Sequence, residues 1–307
     1  MVSSAITVNL NRHFCKEYGL PINVYEYPYF QLRLCALDSL FDCLQKYRRF
    51  AECLKRFDAE QDYFTYYNSV KESAITSIRN NEKFQEFCNM LLPRDIVMYK
   101  TQEMYTPQND GKLFFSVDMK KANFSALHFY SPEIFNNKHT WEDFLGQFTD
   151  CEHILNSKYI RQVIMGALNP GRQVKYETML MKELTDHIVD SIPEAKVYSV
   201  HTDEILLEAD GITEKTLQEA VNTQPDGIGS LVKIELFQLE AIKGTGGYIK
   251  HMYDAEGTKQ FKCLPSDIYH QVVKHYNKME ITPEDLVFMH EGKLAAYLEA
   301  IENPWKE

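Results

Sequence analysis

No apolar run in this 307-residue sequence is long enough to cross a bilayer, and Met1–Leu20 lacks the charged–apolar–small order of a cleaved leader. The expectation is a soluble, cytoplasmic protein with no membrane partner. There is no Cys-x-x-Cys pair. The seven cysteines, Cys15, Cys35, Cys43, Cys53, Cys88, Cys151 and Cys263, are odd in number and scattered. Neither a structural zinc site nor a disulfide framework is expected from them, and buried free thiols in a reducing compartment are the plain reading. Internal repeats and low-complexity tracts are missing too. The glycine-rich stretch Lys243-Gly244-Thr245-Gly246-Gly247 lacks the spacing and the Lys-Ser/Thr of a phosphate-binding P-loop and reads as a hairpin loop. Positive charge is in short supply. The net charge of −11 weighs against a surface that grips nucleic acid throughout, while leaving room for a local basic channel beside an acidic site.

What is present suits an ordinary globular chain, with 44% hydrophobic and 25% charged residues. A chain of this length can bury a sizeable core unaided. Residues 1–24 are mixed in character, and Pro21 breaks any early helix. From about Phe30 to Leu92 the apolar residues recur at helical steps, among them Leu34, Leu37, Leu40, Phe41 and Leu44. Lys46, Arg48, Arg49, Lys55 and Arg56 accompany that stripe as a solvated face, with a phosphate-contacting helix as the alternative.

The texture changes after the turn cluster Pro107–Gly111. Leu113–Val117 is an apolar strand ending in Asp118. Helical segments follow, the longest being Gln173–Asp190, which places Tyr176, Leu180, Leu184 and Ile188 on one side. Lys196–Val200 and Glu204–Glu208 form a hairpin across His201-Thr202-Asp203. Thr213 starts a short helix, and Leu231–Leu239 is another strand. A hairpin of 248–253 with 260–264 follows, then helices over 266–276 and 282–301.

From Leu113 to Leu239 the order is strand, helices, strand, tight turn, strand, helix, strand. That is the split β-α-β-β-α-β order of ferredoxin-like folds, and the expected fold class is α+β: an antiparallel sheet with helices on one face, plus an N-terminal helical region. In that topology Asp118 lies beside the turn bearing Asp203 and Glu204. Alone, Asp203–Glu204 fits a polar hairpin turn and Asp118 a helix N-cap. Together, three carboxylates on one sheet edge repel one another unless a cation neutralises them. Mg²⁺, or Mn²⁺ in its place, takes hard oxygen ligands and substrate phosphates, so Asp118, Asp203 and Glu204 are the candidate metal ligands and catalytic residues.

These residues also resemble known families. Phe114-Phe115-Ser116-Val117-Asp118-Met119 looks like motif A of palm-domain polymerases, and Tyr198 through Ile205 like their motif C hairpin. The likeness is shared among translesion DNA polymerases, family B polymerases, tRNA-His guanylyltransferases and diguanylate cyclases. It covers about residues 112–240 and implies a palm fold with two-metal transfer of a nucleotide from a triphosphate to a 3′-hydroxyl on a primer–template. The organisation it implies is a helical region over 1–111, a palm over 112–240 with a fingers-like insertion at about 119–195, and a C-terminal hairpin with helices over 241–307.

In the insertion, Lys158, Arg161 and Arg172 are candidates for the triphosphate oxygens. Phe124 stands near the offset at which many polymerases sense the sugar 2′ position. Lys250 corresponds to a strand that touches primer phosphates in family B palms. The sequence departs from all of these families: no proofreading motif precedes the palm, and His201 replaces the first acid of a D-x-D hairpin. Two other readings stand beside the polymerase. One is a non-catalytic palm-like subunit of a replication or transcription assembly with protein partners, which the acidic charge favours. The other is a cyclase or guanylyltransferase, which needs no primer.

Overall fold

A computed structural model describes residues 6–93, 96 and 99–296. The N-terminal third is helical: α1 (Val8–Tyr18), α2 (Tyr29–Phe41), α3 (Cys43–Leu54), α4 (Glu60–Arg79) and α5 (Glu82–Asn89). The first of these corrects the expectation of an irregular start. The Thr7 hydroxyl accepts from the Leu10 N–H and Gly19 closes the helix at φ 62°, so Pro21 falls after a completed helix and breaks nothing.

β1 (Leu113–Met119) leads into α6 (Ala122–Tyr130), α7 (Trp141–Leu145), α8 (Glu152–Leu155), α9 (Lys158–Gly166) and the 22-residue α10 (Pro170–Ser191). Tyr176, Leu180, Leu184 and Ile188 of α10 are all buried, the face that their spacing marks. The hairpin of β2 (Lys196–Val200) and β3 (Glu204–Glu208) follows, then α11 (Glu214–Asn222), which Thr213 caps by accepting from the Thr216 N–H. The long β4 (Val232–Ile242), β5 (Gly247–Met252) and β6 (Lys259–Lys262) complete the sheet, and α12 (Tyr269–Tyr276) packs back on α2.

The six strands form one antiparallel sheet in the order β2-β3-β1-β4-β5-β6. The chain is therefore α+β, with a six-stranded antiparallel sheet and an N-terminal helical region. Alternation along β1 assigns the faces. Phe115, Val117 and Met119 join the large core shared with the helices. Phe114 points the other way, into a small cluster with Leu206, Phe237, Leu239 and Met104. Ser116 and Asp118 share that second face.

The 3-10 turn Ile228–Leu231 delivers the chain from α11 to β4 and requires a glycine. A Cβ on Gly229 would stand 2.0 Å from the Val221 carbonyl oxygen. Gly229→Ala is expected to destabilise the fold by about 1–3 kcal/mol or more, because the obstacle is backbone. Urea denaturation checks this, and an unchanged midpoint would show that the turn can move away from α11.

Two further expectations are corrected. In place of a helix over 282–301, the chain makes a 3-10 turn at Pro283–Leu286 and a separate hairpin of β7 (Val287–His290) and β8 (Lys293–Ala296). Glu291 at φ 47° and Gly292 at φ 76° form the two-residue turn that a right-twisted hairpin prefers. Residues 297–301 of that expected helix lie outside the described residues. The cysteines are not all free: Cys53 and Cys151 are disulfide-bonded, with Cα atoms 6.0 Å apart. Packing of α3 on α8 brings them together across 98 positions, a tertiary pairing that spacing does not reveal. A disulfide is not the state expected in a reducing compartment. No helix among the described residues is long and apolar enough to cross a membrane.

Candidate active site

The second face of the sheet carries the polar residues. Apolar side chains anchor β1 and β3 on the helical side, and alternation then turns Asp118 and Glu204 outward. The two are direct cross-strand partners. Asp203 occupies the adjoining turn, where its carbonyl accepts from the Met119 N–H at 2.8 Å, while the His201 N–H donates to the Glu204 carbonyl at 2.8 Å. Residues 85 positions apart thus meet at one rim of the sheet, and the expected neighbourhood of Asp118 with the hairpin is present.

Their electrostatics are those of a crowded acidic rim. Burial raises the Asp118 carboxyl above its usual value; Lys233 opposes the rise, and Glu204 and Asp203 add to it. The Lys233 ammonium, from the facing position of β4, lies 3.4 Å from Asp118 Oδ2 and 3.0 Å from Glu235 Oε2. The Ser116 hydroxyl donates to Glu204 Oε1 at 2.6 Å, and Lys250 Nζ stands 3.8 Å from the same oxygen and 4.2 Å from the centroid of the Phe237 ring. Burial and Lys250 push the Lys262 ammonium below its ordinary value, with Lys158 adding to the effect. Acids and lysines therefore share one surface.

Beside this rim is a cleft of about 630 Å³, lined among others by Asp203, Glu204, Lys250, Tyr105 and Thr178. The segment before β1 forms one wall. It is held to β2 by the Thr101 hydroxyl donating to the Val200 carbonyl at 3.0 Å and by the Gln102 amide donating to the Tyr198 carbonyl at 2.7 Å. Tyr198 is the extra residue of a bulge in β2. Its hydroxyl donates to the Glu103 carbonyl at 2.7 Å.

The other expected site residues are distributed unevenly. Lys250 is in the cleft. Lys158 is exposed at the first turn of α9, within electrostatic range of Lys262. Arg161 is half-buried. Its Nε has no hydrogen-bond partner, and burial lowers its pKa while Glu142 opposes that; Glu142 itself pairs with Lys121, just after β1. Arg172 is elsewhere. Its Nε donates to the Phe87 carbonyl at 2.5 Å and its guanidinium also bonds the Met90 carbonyl, fastening α10 to the end of α5. Phe124 is buried, its ring 4.6 Å from that of Phe135 and 6.2 Å from that of Trp141, so it belongs to the core.

Sequence reasoning missed Ser116, Lys233, Glu235, Lys262 and Glu177. The first four become visible only once the register of β1, β4 and β6 is known. Glu177 is a buried acid on α10, one residue before the cleft-lining Thr178. Burial first, and Asp203 second, push its carboxyl up to about 7. Its folded pKa lies above the unfolded value of about 4.3, so its contribution to stability is complete below that value and lost as pH rises through about 7. Glu177→Gln is expected to flatten the fall of the thermal midpoint between about pH 4 and about pH 7. Parallel midpoint curves for the two proteins would contradict this.

Among the described residues, His13, Glu17 and His153 are the three His, Cys, Asp or Glu side chains whose ligand atoms all lie within 4.8 Å of one another. Asp118, Asp203 and Glu204 are neighbours without forming so tight a set. A comparison of the chain with protein-family models, with curated proteins and with solved structures finds no match.

Proposed function

We propose that this chain is a nucleotidyltransferase of polymerase type, transferring a nucleotide from a triphosphate to the 3′-hydroxyl of a primer on a template. The observation that carries this reading is the cross-strand pairing of Asp118 with Glu204, with Asp203 in the turn bonded to the end of β1. Two further facts support it. The order β2-β3-β1-β4, with helices between β1 and β2 and between β3 and β4, supports reading this part of the sheet as a split β-α-β-β-α-β unit. Asp203 and Glu204 also line a cleft of a size that suits a nucleotide.

The residues fit Mg²⁺ or Mn²⁺ by their chemistry. Asp118 and Glu204 offer hard oxygen ligands from adjacent strands, and the raised pKa of Asp118 marks a place where added positive charge is favourable. Asp118, Asp203 and Glu204 would hold the ion, which when bound supplies charge neutralisation on the phosphates and acidifies an attacking hydroxyl. The chain's own groups do the positioning. Ser116 orients the Glu204 carboxylate. Lys250 and Lys262 offer charge to phosphate oxygens, and Lys158 and Arg161 could extend that field.

The test is incorporation of labelled ribo- or deoxyribonucleotides, with Mg²⁺ or Mn²⁺, in the presence and absence of a primer–template. Primer extension is the expected result. Product formed without a primer would indicate the cyclase or guanylyltransferase chemistry instead. One observation favours a non-catalytic palm-like subunit of a larger assembly: Lys233 and Lys250 already offset Asp118 and Glu204. Calorimetric titration with Mn²⁺ and a triphosphate separates the two readings, since a scaffold whose acids are satisfied by lysines binds neither.

A further inference from the structure

Between α1, α4 and α8 lies a polar centre enclosed by aromatic rings. His13 and Glu17 are one helical turn apart on α1, and His153 reaches them from α8. Glu17 and His153 are fully buried. His13 Nδ1 is 3.8 Å from Glu17 Oε1, and its other nitrogen, Nε2, lies 2.9 Å from the Tyr63 hydroxyl. His153 Nδ1 lies 3.2 Å from the Tyr18 hydroxyl, while its Nε2 is buried with no partner at all. The Glu17 carboxylate accepts from the Tyr67 hydroxyl at 2.7 Å and from the Ser157 hydroxyl.

We propose that His13, Glu17 and His153 form a binding site for one Zn²⁺-class ion, distinct from the acidic rim of the sheet. Each imidazole has one nitrogen beside a tyrosine hydroxyl; the other faces Glu17 in His13 and has no hydrogen-bond partner in His153. That is how outer hydrogen bonds orient metal-binding histidines. Two nitrogens and one carboxylate select zinc or a neighbouring transition ion over Mg²⁺. The ligand atoms, all within 4.8 Å of one another, need to close by up to about 1.5 Å to reach the ~3.3 Å spacing of ligands around tetrahedral zinc, and the fourth position falls to water. Cysteine spacing could not reveal this site, because no cysteine belongs to it. The ion would clip α8 to α1, two residues from the disulfide that ties α8 to α3.

The full chain, stripped with a chelator and dialysed against Zn²⁺, is expected to bind one ion tightly, with X-ray absorption showing only nitrogen and oxygen neighbours. His13→Gln and His153→Gln each lose that ion. Tyr63→Phe and Ser157→Ala weaken it roughly 10–100-fold. The triple variant Asp118→Asn, Asp203→Asn, Glu204→Gln retains it, which separates this site from the proposed catalytic one. No bound zinc, sulfur in the coordination shell, or binding that survives both histidine changes would overturn the proposal. Should the histidine variants unfold, the absorption spectrum of the wild-type protein decides alone.

Discussion

Asp118→Asn is expected to lower metal-dependent nucleotide transfer on the order of 10³-fold without lowering the thermal midpoint. The two halves of that expectation have one cause. Burial first, and then the charges of Glu204 across the strand and of Asp203, disfavour the ionised form of Asp118 in the folded chain, against the pull of Lys233. Such an arrangement lowers stability, and removing one charge relieves the repulsion. Because the folded pKa is raised, the stability contribution of Asp118 is present below the unfolded value and declines as pH rises through the folded one. The amide cannot ionise and should make stability less sensitive to pH in that range. Asp203→Asn tests the same wager from the turn. Either variant transferring nucleotide at the wild-type rate would remove the acids from the mechanism. A large fall in midpoint for Asp118→Asn would mean that its ion pair with Lys233 is structural.

Arg33→Met is expected to destabilise the protein by about 3–5 kcal/mol, the usual result of leaving a buried charge without its partner. Arg33 and Asp285 are both buried, with Nη1 and Oδ1 3.2 Å apart. The guanidinium also donates to the carbonyls of Glu284 at 3.1 Å and Val287 at 2.9 Å. Burial works to raise the Asp285 carboxyl, yet the Lys274 ammonium at 2.6 Å and the Thr282 N–H hold it below its ordinary value. This network fastens the segment before β7 to α2 and α12. Chemical denaturation reads the loss. The triple variant Arg33→Met, Lys274→Met, Asp285→Leu should recover part of it, since no charge of the network is then left alone. A single variant within about 1 kcal/mol of wild type would show that Lys274 alone satisfies Asp285.

What could be read in advance is what is written locally. β1 and the β2–β3 hairpin are legible because short apolar runs stop abruptly at Asp118 and just before His201. The buried face of α10 is legible because its apolar residues recur at helical spacing. The joining of Asp118 to Glu204 follows from element order alone. What was not legible depends on distant partners. Arg172 follows a glycine near the start of a helix, a position that suits a phosphate ligand, yet two carbonyls at the end of α5 hold it. Phe124 sits near the offset of a sugar-sensing ring, yet Phe135 and Trp141 pack around it. Cys53 finds Cys151 through helix packing. The β7–β8 hairpin was hidden by Lys293–Ala296, which suit a helix as well as a strand until Glu291 and Gly292 turn the chain.

The margins of the six-stranded sheet limit how anything else can join it. Along β2, the segment from Thr101 bonds the carbonyls of Tyr198 and Val200, and the Gln102 N–H donates to the Ser199 hydroxyl at 2.9 Å. At the other margin β6 is only four residues long and has a lysine at each end. Short, charged or covered borders of this kind discourage strand addition. Strand addition by a second chain, and self-association of this sheet into fibres, are therefore disfavoured at both of its margins.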